Sequence, residues 1–125
     1  GLHVTTGPHL FAHLRPWLDR QRITPLAALA DLEDGAPVRT AGAVIVRQRP
    51  GTARGFVFLT LEDETGMVQA ILRPDLFREH RPLIVSSPLL LIEGTVQQQD
   101  GTLSVRARRL ERLEAPGELV SHDFH

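Results

Sequence analysis

Apolar positions along the chain change their period near residue 36. Leu10, Phe11, Leu14, Trp17 and Leu18 recur at i, i+1, i+4, i+7 and i+8, the spacing of one helix face. Buried together, they would dock on a larger body, such as a neighbouring domain. Pro8 suits a first helical turn, whereas Pro16 falls inside the stripe and predicts a kink or restart, hence two short pieces. Thr24 and Pro25 read as an N-cap and first helical residue, and Leu26, Leu29 and Leu32 form a second short stripe ending near Gly35.

Beyond this point the period drops to two. Strands are expected over residues 38–48, 56–62, 67–72, 89–98 and 103–113, with a short helix over 75–81 after Pro74. Gly42 stands where a bulge or sharp bend is cheap, and Asp100-Gly101 is the strongest hairpin signal. The order strand, strand, strand, helix, strand, strand is the layout of an OB-fold. That fold class is mainly β: a five-stranded Greek-key barrel with one short helix between strands 3 and 4, here preceded by a short helical N-terminal extension. The organisation expected is a helical lead-in (1–35), an OB barrel (36–115) and a polar, acidic tail (116–125) read as flexible.

The 125 residues suit one domain plus an extension, and apolar runs fall well short of the roughly 20 residues that cross a bilayer. With no cysteine, disulfide frameworks and thiolate chemistry are excluded, and no signal-peptide pattern argues for secretion, so an intracellular protein is the expectation. Starting at Gly1, the chain is expected to belong to something longer.

The net charge of -1 hides an uneven distribution in which all fourteen basic residues are arginine. A GC-rich coding sequence explains that bias; so does the planar, bidentate phosphate recognition that arginine offers. Arg39, Arg47, Arg49 and Arg54 lie in an acid-free stretch from Ala36 to Leu61, and Arg106, Arg108 and Arg109 lie in another from Gly101 to Leu110. A chain that is neutral on average can thus carry a basic face.

Alternation sorts the second strand into Val57, Leu59 and Leu61 on one side and Phe56, Phe58 and Thr60 on the other. Both sets are largely apolar, although an outward face should be polar. Either the N-terminal helices or a neighbour cover Phe56 and Phe58, or the two rings form a platform on which bases stack. OB-folds bind nucleic acid across strands 2 and 3, between the first-second and fourth-fifth loops. The candidate site therefore comprises Phe56 and Phe58 for stacking, with Arg47, Arg49, Arg54, Arg106 and Arg108 for phosphates.

Other constellations carry less. Glu62-Asp63-Glu64 alternates faces and ends in a turn, which argues against a metal site. His9 and His13 share a helix face without a third ligand, and His122 and His125 lie in the polar tail. Asp75-Leu76-Phe77 is faintly similar to the end of a sliding-clamp-binding motif, but its helix makes Leu76 and Phe77 core residues. No activated nucleophile or phosphate-cradling loop is present, so no catalytic residue, metal ligand or cofactor is expected in this chain.

The stretch A-G-A-V-I-V-R-Q-R-P-G-T-A-R-G from Ala41 to Gly55, followed by F-L-T-L-E-D-E-T-G from Phe58 to Gly66, closely resembles the OB domain of bacterial C-family DNA polymerases. The similarity continues through Arg81 and Gly94-Thr95-Val96-Gln97, and back to Gly7-Pro8-His9 with Arg15; Leu10 departs from it, where the family commonly has proline. The ending Ser121-His122-Asp123-Phe124-His125 is similar to that of the error-prone, damage-induced paralogue of the replicative alpha subunit. The resemblance implies a non-catalytic module that contacts single-stranded or primed template DNA in translesion synthesis and DNA repair. It also implies a cytoplasmic, nucleoid-associated setting without membrane, and a parent nucleotidyltransferase whose carboxylates and Mg²⁺ lie outside this chain. Implied partners are the upstream polymerase domains, a mutasome adaptor and, indirectly, the sliding clamp. The rival implication is a protein-interaction barrel that docks those domains or that adaptor. Phe58, Leu61, Asp63, Gly66 and Gln69 also match the F-x-x-L-x-D-x-x-G-x-x-Q pattern of the anticodon-binding OB domain of class II aminoacyl-tRNA synthetases. That similarity implies a stacking role for Phe58 and a base-edge contact for Gln69.

Overall fold

A computed structural model describes residues 7–121. The strands are β1 (Pro37–Gln48), β2 (Val57–Glu62), β3 (Met67–Leu72), β4 (Leu89–Gln99) and β5 (Thr102–Arg112), closed into a barrel in the order β1-β2-β3-β5-β4. Helix α1 (Gly7–Arg20) precedes them, α2 (Pro74–Ser86) connects β3 to β4, and α3 (Gly117–Ser121) follows. This is the mainly β, five-stranded architecture expected from the element order.

Closure depends on the length of β1, which serves two neighbours. It pairs with β4 from Pro37 to Ala43 and with β2 from Ala43 to Gln48. Gly42 sits at the handover, where a Cβ would lie 2.8 Å from that of Leu61, so its use is close approach. The bulge of β1 itself lies three residues further on, at Ile45, between Val44 and Val46. Asp100 (φ 53°) and Gly101 (φ 75°) make the predicted two-residue turn between β4 and β5, in the left-handed conformation whose twist matches the flanking strands.

Val57, Leu59, Leu61, Val68, Ala70, Leu72, Leu90, Ile92, Val96 and Val105 fill the barrel. Leu76 and Ile84 of α2 plug the end reached by Leu72, and Leu26 and Leu29 plug the opposite end, beside the β2–β3 turn. A second cluster lies outside the barrel, where Leu10, Phe11, Leu14 and Leu18 pack on Ala41, Leu91 and Leu113. The lead-in therefore docks on this barrel's own β1–β4 flank.

Three sequence expectations are corrected. Helix α1 runs unbroken through Pro16, which lies with Ala12, the residue whose carbonyl loses its helical partner, on the exposed side of the helix. Helix α2 likewise continues through Pro82, which lies with Arg78 on its exposed side, to Ser86, past the expected stop at residue 81. The Leu26 stripe forms a 3-10 turn (Leu26–Asp31) that Thr24 does not cap; its first N–H groups donate to Asp63 Oδ2 and the Thr65 hydroxyl, and the Thr24 carbonyl accepts from the Thr40 hydroxyl at 2.7 Å. His122 and His125 lie outside the described residues.

Candidate nucleic-acid interface

Strand register assembles the outer face of β2, β3 and β5 in rows. One row crosses all five strands as Gln48, Phe58, Ile71, Arg106 and Thr95, each directly opposite the next. The next row is Val46, Thr60, Gln69, Ser104 and Gln97. Directly opposed residues share a face, so Phe58 has Ile71 beside it and Gln69 on the diagonal. Phe58 and Gln69 are both half-buried and open outward, while Val57, Leu59 and Leu61 are buried on the inner side.

Helix α1 covers β1 and β4 and leaves this face open, which removes the reading in which the N-terminal helices hide Phe56 and Phe58. Phe56 lines a cleft of about 150 Å³ together with Ile71, Arg73, Thr95, Arg106, Ala107 and Arg108. Arg106 and Arg108 are exposed, and among the described residues neither has an ion-pair or hydrogen-bond partner. Arg54 is exposed at a left-handed position (φ 55°) after the 3-10 turn Gly51–Ala53.

Two of the arginines expected to take phosphates make contacts with α2. Arg47 stands opposite buried Leu59 and donates Nε–H to the Ile84 carbonyl at 3.1 Å, capping the last turn of α2. The Arg49 guanidinium lies 5.3 Å from the centroid of the Phe77 ring on that helix. The register thus brings Phe58, Gln69 and Arg106 together, the cleft adds Phe56 and Arg108, and Arg47 and Arg49 turn toward α2. Sequence reasoning missed Ile71, Arg73 and Thr95. Ile71 was accessible as the residue across the hairpin from Phe58; the other two required the barrel's closure.

The acidic motif at the β2–β3 turn serves the fold. Asp63 is buried; its Oδ1 accepts from Thr65 N–H, Gly66 N–H and the Thr65 hydroxyl, and its Oδ2 from Leu26 N–H at 2.9 Å and Arg15 at 3.3 Å. Arg15 also forms a two-pronged pair with Glu64 at 2.6 and 2.8 Å. These bonds commit Asp63 and Glu64 to Arg15 and to the turn, and no group of three or more His, Cys, Asp or Glu that could hold a metal occurs among the described residues. The Glu64 hydrogen bond, foremost, raises the Arg15 pKa above its ordinary value against the opposing effect of burial. His13 Nε2 hydrogen-bonds the Leu119 carbonyl at 2.7 Å, and His9 is exposed. Leu76 is buried and Phe77 packs against the core. Among the described residues no helix is long and apolar enough to cross a membrane.

A barrel with an open aromatic and arginine face is the architecture of a nucleic-acid-binding module. A family model described as an OB-fold nucleic acid binding domain matches residues 38–113, and the chain belongs to that family. It is similar to the error-prone DNA polymerase of Mycolicibacterium paratuberculosis, 46% identical over 111 residues, which cover 89% of this chain and 10% of that protein. The error-prone DNA polymerase of Anaeromyxobacter dehalogenans strain 2CP-C is 43% identical over 128 residues, covering 98% and 11%. The chain thus spans about a tenth of the length of the curated relatives it matches. Among solved structures, asparaginyl-tRNA synthetase from Pyrococcus horikoshii superposes with a TM-score of 0.55 at 29% identity, over 68% of this chain and 20% of that one.

Proposed function

We infer that the chain is a non-catalytic module of an error-prone DNA polymerase and that it holds single-stranded template during translesion synthesis and repair in the cytoplasm. The observation that carries this reading is the Gln48–Phe58–Ile71–Arg106–Thr95 row, which sets an open aromatic ring and an uncommitted guanidinium on one face. Bases of any sequence stack on such a ring, and arginine takes the adjoining phosphates. Nucleotidyl transfer and its Mg²⁺ belong to the remainder of the polymerase, since Asp63 and Glu64 are already bound by Arg15 and backbone N–H groups. Titration of a labelled single-stranded oligonucleotide at low salt tests the reading: the chain binds, and Phe58→Ala weakens it. Absence of binding by the wild-type chain overturns it.

A second reading rests on the exposed apolar side chains of Ile45, Val46 and Met67 on β1 and β3. In it the barrel docks upstream polymerase domains or a mutasome adaptor, and the sliding clamp is reached only through them. A protein partner that protects these residues from labelling, with oligonucleotide binding absent, supports this reading over the first.

A further inference from the structure

The cleft around Phe56 arises where the barrel changes partners. Parallel pairing of β3 with β5 stops at Ile71 and Arg106, after which β5 follows β4 alone. The β4–β5 register then slips between Glu93 and Gly94, leaving Arg108 as the extra residue between Ala107 and Arg109. Gly94 permits this geometry, because a Cβ there would lie 2.0 Å from the Arg106 carbonyl oxygen. Diverging strands open a gap; Phe56 and Ile71 line it with apolar surface, Thr95 adds a hydroxyl, and Arg73, Arg106 and Arg108 surround it with positive charge.

No carboxylate lines the gap. Its arginines also differ from their neighbours. Arg109 pairs with Glu111 at 3.6 Å, Arg39 with Glu93 at 2.9 Å, and Arg112 donates to the Ser87 hydroxyl at 3.1 Å. Arg73 has an exposed partner in Asp75 at 3.5 Å, while Arg106 and Arg108 have none among the described residues. An apolar wall, one hydroxyl and unneutralised guanidinium groups around about 150 Å³ match a flat apolar group joined to an anion.

We propose that this cleft is a slot for one unstacked nucleotide, its base against Phe56 and Ile71 and its phosphate between Arg106 and Arg108. The slot rests on the nucleic-acid reading of the face and adds a defined holding point where β3 and β5 part. Base and phosphate contribute through different residues, so they separate experimentally.

The test compares the chain with Phe56→Leu and Arg108→Gln on two single-stranded probes of about twelve units, oligo-dT and a fully abasic deoxyribose-phosphate strand. Phe56→Leu weakens oligo-dT binding about tenfold and leaves abasic binding unchanged, because the lost contact is to a base. Arg108→Gln weakens both probes and leaves the melting temperature unchanged, Arg108 being exposed at a bulge. Equal weakening of both probes by Phe56→Leu marks the ring as structural and overturns the slot. Wild-type affinity in both variants, with Phe58→Ala still weakened, overturns the slot and leaves the binding face standing. Failure of the wild-type chain to bind oligo-dT overturns both. Equal competition by a polyglutamate peptide makes the cleft a site for acidic protein and overturns the nucleotide assignment.

Discussion

Asp63 accepts a hydrogen bond at 2.9 Å from the backbone N–H of Leu26, which joins the β2–β3 turn to the lead-in. One carboxylate thus closes the turn with Oδ1, caps the 3-10 turn with Oδ2 and receives Arg15 from α1. Removing it leaves the Leu26 N–H and the N–H groups of the turn without their acceptor, and strips Arg15 of one of its two buried or half-buried carboxylates, Glu64 remaining. Asp63→Ala therefore destabilises the chain by about 3–5 kcal/mol. Urea unfolding measures this; a loss below about 1 kcal/mol contradicts the arrangement.

Arg15 sets a sign for the pH dependence. Its pKa is raised by the hydrogen bond to Glu64, so the stability it contributes is fully present below its unfolded-state value. That contribution is lost only as pH climbs through the still higher folded-state value, in the strongly alkaline range. The melting-temperature gap between wild type and Arg15→Gln accordingly stays level from about pH 7 to about pH 10. A gap that narrows steadily over this window contradicts the assignment.

Gly94→Ala tests the bend that opens the cleft. Its Cβ would meet the Arg106 carbonyl at 2.0 Å, a backbone atom that no rotamer change can move. The substitution costs about 3 kcal/mol or more in thermal unfolding. Near-neutral stability would show that β4 and β5 approach less closely.

Phe58 and Leu59 are adjacent and face opposite ways, which separates binding from stability. Leu59→Ala empties part of the sealed barrel and costs about 2–5 kcal/mol of stability. Phe58→Ala lowers oligonucleotide affinity by about 1–3 kcal/mol with little change in melting temperature. A large fall in stability for Phe58→Ala would make it a core residue.

Local chemistry made most of this fold readable. The β2 alternation, the Asp100-Gly101 turn and the apolar stripe of α1 each follow from two to ten neighbouring residues. The arginines were less legible, for a reason visible in β1. Without the extra residue at Ile45, Arg47 would stand on the same face as Phe58; the bulge shifts the parity, sending Arg47 to the inner rim and placing Gln48 beside Phe58. Arg49 is set by the ring of Phe77, twenty-eight positions along, which no local period reveals. Asp63 was readable as a turn residue, but its bonds to Leu26 and Arg15 depend on how the lead-in packs.

The salt dependence of binding to a single-stranded oligonucleotide of about thirty nucleotides is the most direct test of the central claim that the Phe58–Arg106 face holds nucleic acid. The slope of log affinity against log salt should fall in magnitude by about 0.7 for each phosphate contact removed, hence by about 1.4 in the Arg106→Gln, Arg108→Gln double variant. Arg47→Gln and Arg49→Gln, whose side chains engage α2, should leave the slope unchanged. An unchanged slope in the Arg106, Arg108 variant would contradict the account.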